Sequence, residues 1–173
     1  MNRDDGGDGV LLRPIGFVRS PFTEPVGMPV QPSGARGIRG SVEILPEFCD
    51  GLADLGGFSR IILIYLFHRS VGHSLRVIPF LDDRERGVFA TRAPRRPNPI
   101  GLSVVRLVAV EGCRLAVEDV DLLDGTPVLD IKPYVSSIDA FPGEKEGWLG
   151  ECSDRFREAR ADRRFAERSE TES

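Results

Sequence analysis

The side chains with most capacity for chemistry are concentrated in residues 87–103, GVFATRAPRRPNPIGLS. This stretch places Arg92, Arg95, Arg96 and Asn98 among three prolines. Because proline fixes its own φ and restricts the residue before it, the stretch is predicted to be a stiff loop. Guanidinium groups held in a stiff loop lose little entropy on binding, so the loop suits a phosphate or carboxylate anion. The alternative is a rigid structural connection with solvated arginines.

A group of carboxylates follows in residues 120–134, VDLLDGTPVLDIKPY. The pair Asp124-Gly125 predicts a turn between two strands, so Asp121 and Asp124 are expected at the rim of a barrel rather than in its core. Carboxylates in that position could hold ribose hydroxyls or a cationic amino group. They could equally be ordinary turn formers.

The two regions carry opposite net charge. Residues 84–106 contain six arginines and one glutamate, whereas residues 111–130 contain six acidic residues and one arginine. Neighbouring stretches of opposite sign predict a site that handles both an anion and a cation. Solvated faces, or pairing of the two stretches with each other, would give the same pattern.

The histidines and cysteines do not form a metal motif. His68 and His73 lie five apart with no obvious third ligand, and His68 is expected to cap a strand or line a pocket. Cys49, Cys113 and Cys152 are widely separated, odd in number and without a CxxC pair, which argues against a zinc site and a disulfide framework. We therefore predict no metal and three free thiols.

Several enzyme classes have no support in the sequence. It contains no GxSxG, HExxH or GxxxxGK motif, so serine hydrolase, zinc protease and P-loop mechanisms are not indicated. The first strand is not followed by a glycine-rich turn, which argues against a Rossmann-type methyltransferase.

The elements that position these residues are predicted to be strands. Thirteen prolines and nineteen glycines cut the chain into short pieces rich in Val, Ile, Leu and Phe, which is typical of an all-β core. The predicted strands are Leu11 to Arg19, Arg39 to Leu45, Ile61 to His68, Ser74 to Pro79, Gly87 to Thr91, Gly101 to Val110, Arg114 to Asp121 and Thr126 to Ile131.

Two helices are predicted beside the strands. A short one runs through Phe48 to Leu55, and a longer one begins after Ser153 as N-cap and continues to about Arg168, where it docks weakly or packs against a partner. The remaining long segment, Pro21 to Gly40, has too many breakers for an element and is too long for a hairpin turn. Such a loop is functional or disordered, and function is favoured.

The chain length favours one domain. Residues 1–10 are expected to be disordered, residues 11–150 to form the barrel domain, and residues 151–173 to form the C-terminal helix and a polar tail. The longest apolar run, Ile61 to Phe67, is too short to cross a bilayer, and no signal peptide is apparent. We expect a soluble, cytoplasmic protein.

Five segments, in order and with natural spacing over about residues 12–141, resemble the TsaA-like (TrmO) family. They are PIGFVRSPF (14–22), PVQP (29–32), FSRIILIYLFHR (58–69), GVFATRAPRRPNPIGLS (87–103) and DLLDGTPVLDIKPY (121–134). The resemblance implies a compact, mainly β, single-domain barrel that is usually dimeric and binds S-adenosylmethionine. It further implies methylation of N6 of threonylcarbamoyladenosine next to the tRNA anticodon.

Carried over by position, the resemblance implies a set of cofactor contacts. They are Pro29, Val30, Gln31, His68, Arg69, Arg92, Leu102, Asp121, Leu122, Leu123 and Asp124. Val30 stands where the family often has arginine, and Arg69 stands where it often has glutamine. Longer members also carry a second domain after the barrel.

Substrate contacts are predicted for Arg95, Arg96, Asn98, Lys132 and Tyr134. In this hypothesis the arginines meet the anticodon-loop phosphates and the threonyl carboxylate, while Asn98 and Lys132 order the loops around them. The residue that accepts the N6 proton stays open among Asp121, Asp124, His68 and Tyr134. Two other functions stay open as well: a methyltransferase acting on another RNA or a small molecule, and a non-catalytic module that binds the cofactor.

Overall fold

The computed structural model describes residues 10–165, except for the side chains of residues 153, 154, 156 and 157. The disorder predicted for the first residues and for the polar tail therefore falls almost wholly outside the described range. Residues 10–165 form eight strands and one short α-helix. They are β1 (Gly16–Arg19), β2 (Arg39–Ile44), β3 (Arg60–Leu66), β4 (Arg76–Val77), β5 (Arg86–Gly87), β6 (Ile100–Glu111), β7 (Arg114–Glu118), β8 (Pro127–Pro133) and α1 (Ser136–Asp139).

Six of the strands close into an antiparallel barrel in the order β1-β2-β7-β6-β3-β8, which confirms the mainly β prediction. Alternate residues of each strand point inward, so apolar side chains from opposite strands fill the interior. Ile61, Leu63, Leu115 and Val128 are among the fully buried ones. Closure removes the exposed edges that an open sheet of this size would leave.

Because strand directions alternate around the barrel, each connection lies at one of its two ends. Strands β1, β3 and β7 all end at the same end, which we call the upper end, because neighbouring strands are antiparallel. The connections of residues 20–38, 67–99 and 119–126 therefore meet there. The connections after β2 and β6 meet at the lower end.

The predicted strands outside the barrel are much shorter than expected. Ser74 to Pro79 and Gly87 to Thr91 reduce to the two-residue ladder of β4 with β5, and Val88–Ala90 continues as a 3-10 turn. The first barrel strand begins only at Gly16, after Pro14, since proline cannot donate to a ladder. The predicted short helix is a pair of 3-10 turns, Pro46–Leu52 and Leu55–Gly57.

The predicted C-terminal helix is wrong. Residues Gly147–Arg157 form a 3-10 stretch, the chain then pairs at Arg160 with Pro29, and a further 3-10 turn covers Arg163–Phe165. The backbone of Ala161 bonds to Gly27 and Met28 rather than continuing a helix. Residues 166–173, which include the predicted helix end, lie outside the described range.

The prediction of three free thiols is also wrong. Cys49 and Cys113 form a disulfide, with their Cα atoms 5.0 Å apart and a sequence separation of 64. The bond joins the connection after β2 to the β6–β7 turn at the lower end. Cys152 is a free, buried thiol. In the described part of the chain, no helix is long and apolar enough to span a membrane.

Candidate functional site

The three connections at the upper end of the barrel carry the predicted cofactor residues. Pro29, Val30 and Gln31 lie in the first connection, His68, Arg69 and Arg92 in the second, and Asp121 through Asp124 in the third. Segments separated by more than 90 residues in the chain thus meet because of strand direction. Each is anchored by the ends of two barrel strands, which supply a rigid support.

A buried chain of hydrogen bonds links the barrel interior to this end. Tyr65 Oη lies 3.2 Å from Ser103 Oγ, and Ser103 Oγ donates to Asp121 Oδ1 at 2.8 Å. Burial raises the pKa of the Asp121 carboxyl to about 6, although the bond from Ser103 and the charge of Arg92 oppose the shift. Burial and the nearby Asp121 also raise the pKa of the Tyr65 phenol.

Gly101 makes room for the Tyr65 ring. The two residues are direct partners across β3 and β6, and a Cβ on residue 101 would overlap the ring. Glycine at this position lets the phenol lie inside the barrel and reach Ser103. Packing against Tyr65 therefore explains why the NPIGLS segment has a glycine at position 101.

The turn between β7 and β8 is fixed to the end of β1. The Ser20 N–H donates to Asp124 Oδ1 at 3.1 Å, and the Ser20 hydroxyl donates to the Leu122 carbonyl at 2.6 Å. The Asp124 N–H donates to the Phe22 carbonyl at 2.7 Å. Leu122 is buried, so its side chain serves the core and only its backbone faces the turn. Asp124 is thus held as a turn former that still lies at the rim.

Arg92 connects the first two connections across the site. Its Nη1 donates to Gln31 Oε1 at 3.2 Å, and its charge acts on Asp121. Pro29 is buried and Val30 is half-buried beside this contact. Arg92 and Asp121, one from each of the oppositely charged sequence stretches, therefore lie within electrostatic reach of each other.

His68 and Arg69 follow β3 directly. The His68 N–H donates to the Leu66 carbonyl at 2.8 Å, and desolvation together with the Arg69 charge lowers the pKa of its imidazole. Arg69 Nη1 lies 3.6 Å from Glu24 Oε2, which is a second link to the first connection. The segment is itself held by a bond from the Phe67 N–H to the Pro99 carbonyl at 2.7 Å.

Leu102 differs from the other predicted cofactor residues. It is 46% exposed on the outer surface of β6, whereas Gly101 and Ser103 on either side point inward. Its side chain therefore lies outside the barrel and contributes to an outer face rather than to the interior of this site.

Arg96 is turned into its own loop. Its Nη1 donates to the carbonyls of Thr91 at 2.8 Å and Val88 at 3.1 Å, and its guanidinium lies over the Phe89 ring. This side chain stiffens from within the loop of residues 91–99, which we call the arginine loop. The Arg95 carbonyl accepts a bond from the Ser74 N–H, and Asn98 is exposed.

Lys132 and Tyr134 do not join the upper end. Lys132 pairs with Ile62 in the barrel, and the Tyr134 N–H donates to the Arg60 carbonyl at the start of β3. At about 3.3 Å per strand residue, Tyr134 is roughly 20 Å along β8 from Val128. Lys132 is instead paired with Asp130 at 2.8 Å. The structure therefore separates both residues from the other predicted substrate contacts.

Sequence reasoning missed Tyr65 and Ser103. The signal for Ser103 was its register, because it shares the inward face of β6 with buried Val105 and Leu107. A buried hydroxyl needs a hydrogen-bond partner, so its position predicted one. In residues 10–165, no group of His, Cys, Asp or Glu side chains suits a metal ion.

The family comparison agrees with this arrangement. The model of the tRNA-methyltransferase O N-terminal domain matches residues 17–140, which contain the barrel except Gly16 and all three upper connections. The chain belongs to this family. The barrel and its upper end are therefore the family's domain, and the segment after residue 140 lies outside the match.

Relatives differ in how much of their length this chain covers. A probable S-adenosyl-L-methionine-binding protein from Pyrococcus abyssi is 53% identical over 90% of this chain and 85% of its own length. A tRNA (adenine(37)-N6)-methyltransferase from Mus musculus is 38% identical over 76% of this chain and only 32% of its own length. The crystal structure of TrmO from Pseudomonas aeruginosa matches with a TM-score of 0.69 at 44% identity, over 81% of this chain and 62% of that one.

Two surface depressions in the described part of the chain are lined by other residues. One, of about 540 Å³, is open and lies at the lower end beside Cys49, Leu52 and Val110. Another, of about 340 Å³, lies beside Leu81 and Arg155. Neither depression is lined by a predicted cofactor or substrate residue, although the second combines Asp82 and Asp83 with Arg155.

Proposed function

We propose that the chain is an S-adenosylmethionine-dependent methyltransferase that acts on N6 of adenosine 37 of tRNA. The observation that carries the proposal is the meeting of Gln31, Arg92 and Asp121 from three separate connections at one end of the barrel. The names of the mouse and Pyrococcus relatives supply the activity and the cofactor class. Because the chain spans about a third of the mouse enzyme, activity and substrate are part of the proposal.

The chemistry of the side chains fits this cofactor. S-adenosylmethionine carries a sulfonium, an ammonium and a carboxylate, so a site for it needs groups of both signs. Asp121 supplies a half-buried carboxylate and Arg92 a cation within its electrostatic reach. The backbone of Pro29 to Gln31, of His68 and Arg69, and of Leu122 to Asp124 lines the same end. When bound, the cofactor supplies an electrophilic methyl group.

Asp121 is the best placed of the candidate proton acceptors. Methyl transfer to N6 forms an N–C bond, breaks an S–C bond and leaves one proton to be removed from the nitrogen. The pKa of Asp121, about 6, leaves the carboxylate mostly ionised at neutral pH yet basic enough to take that proton. Ser103 holds the carboxylate in one orientation. Tyr134 lies at the other end of β8 and Asp124 is engaged in its turn.

The arginine loop is proposed to recognise the acceptor. Arg92 and Arg95 would meet anticodon-loop phosphates and, in threonylcarbamoyladenosine, the threonyl carboxylate. Arg96 would act indirectly, since its Nη1 holds loop carbonyls. Asn98 is exposed beside them. The protein is proposed to meet its tRNA substrate in the cytoplasm.

The protein is proposed to act as a homodimer. The outer faces of β3 and β6 present a continuous apolar surface, formed by Ile62, Ile64, Leu66, Ile100, Leu102 and Val104. Leu102, a predicted cofactor contact, lies on this surface instead of inside the barrel. A second copy seated there would bring Leu102 to its partner's cofactor, which gives the exposed position a function.

Two measurements test the proposal in sequence. Calorimetric titration with S-adenosylmethionine should give saturable binding in the micromolar range. Incubation with tritiated cofactor should then label tRNA that carries threonylcarbamoyladenosine, with weaker labelling of tRNA that has unmodified adenosine 37. Loss of labelling in 0.5 M salt would follow from phosphate contacts. Absence of cofactor binding would refute the proposal.

A non-catalytic cofactor-binding module is the second candidate. The Pyrococcus relative, whose length this chain largely covers, is named for binding rather than transfer. The replacement of an arginine by Val30 would remove a contact from the first connection. Tight cofactor binding without labelling of any RNA in total cell RNA would favour this candidate, whereas labelling of another RNA would redirect the search for the acceptor.

A further inference from the structure

The segment of residues 147–165, which we call the strap, lies outside the family match and crosses the two longest connections of the barrel. It is not an appended helix. Its described residues hydrogen-bond to the connection of residues 20–38 at one point and to the connection of residues 67–99 at several others.

The strap pairs with the first connection through its backbone. The Gly27 N–H donates to the Ala161 carbonyl at 2.8 Å, and the Ala161 N–H donates to the Met28 carbonyl at 2.8 Å. Arg160 and Pro29 form an antiparallel bridge. The pairing ends two residues before Gln31, the partner of Arg92, so it fixes the direction in which the chain enters the candidate site.

The strap holds the second connection through side chains. The Trp148 Nε1–H donates to the Ala90 carbonyl at 2.8 Å, two residues before Arg92, and the Arg86 guanidinium lies over the Trp148 ring. Arg155 Nη2 donates to the Leu81 carbonyl at 2.9 Å. These contacts fix the part of the connection that leads into the arginine loop.

Aromatic packing anchors the far end of the strap. The Phe165 ring meets the Phe80 ring edge-on, with centroids 5.0 Å apart, and Phe165 packs on the small cluster of Val77, Val88 and Ala93. This cluster is separate from the barrel core. The second connection therefore has a hydrophobic core of its own, and the strap contributes to it.

We infer that the strap positions the two halves of the cofactor site, through Ala161 on the side of Gln31 and through Trp148 on the side of Arg92. The strap contacts both the first and the second connection. The hydrogen bond between Gln31 and Arg92 joins the same two connections directly. Loops with many prolines and no barrel pairing of their own would otherwise sample several arrangements. The binding-competent fraction, and with it the apparent affinity, depends on what holds them. The inference rests on the proposed function, since it takes the cofactor to bind between these connections.

The test is made on the full chain, with variants that each remove one hydrogen bond of the strap. Ala161→Pro deletes the N–H that donates to Met28, and the residue before it is already paired as a strand, a conformation that proline tolerates in its neighbour. Ala161→Val is the matched control, because it adds a side chain of similar size and keeps the N–H. Trp148→Phe removes the bond to Ala90 and keeps an aromatic ring beneath Arg86.

Two readouts are compared in all variants. Amide hydrogen exchange of Gly27 should quicken at least about tenfold in Ala161→Pro and stay unchanged in Ala161→Val. The Kd for S-adenosylmethionine should rise about tenfold in Ala161→Pro, by a smaller factor in Trp148→Phe, and should not change in Ala161→Val. Thermal unfolding of each variant checks that the barrel is intact.

The outcomes separate this inference from the proposed function. If the wild-type protein binds the cofactor and the double variant Trp148→Phe/Ala161→Pro binds it within twofold as tightly, the strap has no positioning role. If the wild-type protein does not bind the cofactor, the proposed function fails. The positioning of the first connection is then decided by exchange alone: faster exchange of Gly27 in Ala161→Pro supports it, and unchanged exchange overturns it.

Discussion

Asp121 sits at the junction between the barrel core and the candidate site. Its carboxylate accepts from Ser103, whose hydroxyl in turn contacts Tyr65 inside the barrel. Taking a carboxylate out of water costs free energy unless a charge compensates it, and Arg92 does so only partly, since the pKa of Asp121 stays raised at about 6. A residue kept at such a cost is characteristic of function rather than of stability.

Replacing Asp121 with asparagine should therefore lower the activity without lowering the stability. In Asp121→Asn, transfer to tRNA should fall at least about a hundredfold, the scale of a lost general base. In the wild-type enzyme, activity should rise with pH through about 6 and then level off, because the carboxylate must be ionised. Initial rates between pH 5 and 8 measure this profile. Asp50→Asn, an exposed carboxylate at the lower end, is the control and should keep the wild-type profile.

The stability of the cofactor-free protein should change in the opposite direction. The folded-state pKa of Asp121 exceeds its unfolded value, so the native state holds more protons between about pH 4 and 6, and stability falls as pH rises through that window. Asp121→Asn should therefore be more stable than the wild type above pH 6, by about 1–3 kcal/mol, and equal to it below pH 4. Urea unfolding at both pH values decides the sign, and a less stable variant at pH 7 would contradict it.

At the scale of elements, the disulfide acts on the end of the barrel that is remote from the site. Cys49 lies in the 3-10 turn after β2 and Cys113 lies in the β6–β7 turn. The bond joins residues 64 positions apart and closes a loop that contains all of β3, β4, β5 and β6. A cross-link across such a loop restricts the unfolded chain and so stabilises the fold.

Breaking this bond should lower stability and leave cofactor binding unchanged. Cys49→Ala/Cys113→Ala should unfold about 2–4 kcal/mol more easily in urea. Reductant should destabilise the wild type in the same way and should have no effect on the double variant. Cys152→Ala keeps the disulfide and should remain sensitive to reductant. A change in the Kd for S-adenosylmethionine in the double variant would show that the two ends of the barrel are coupled.

The sequence predicted elements well where a local pattern decides them. The apolar run of β3, the partial alternation of β6 and the turn at Asp124-Gly125 are local, and they led to the strands and to the expected rim position of the carboxylates. The disulfide, the strap and the contact of Ser103 with Asp121 depend on which distant segments meet. Spacing along the chain does not carry that information, and the strap was mistaken for a helix because its pairing partner lies more than 130 residues away.

At the scale of the whole molecule, the outer surface of the barrel is uneven. Strands β1 and β2 carry an exposed ion pair between Arg19 and Glu43, whereas β3 and β6 expose apolar side chains side by side. Their cross-strand pairs are Ile62 with Val104, Ile64 with Leu102 and Leu66 with Ile100. A surface of this kind on a folded protein marks an interaction site, and the position of Leu102 favours a second copy as the occupant.

A charge placed at the centre of this surface should dissociate the proposed homodimer. Ile64→Lys puts an ammonium between Leu102 and Asp130, where it stays solvated in a monomer but would be buried in a dimer. Sedimentation equilibrium at about 10 µM should show a dimer for the wild type and a monomer for Ile64→Lys, with weaker cofactor binding because the partner's Leu102 is withdrawn. Val108→Lys, an exposed apolar position farther along β6, is the matched control and should remain dimeric. A monomeric wild type would overturn the prediction, and Leu102 would then need a role within a single chain.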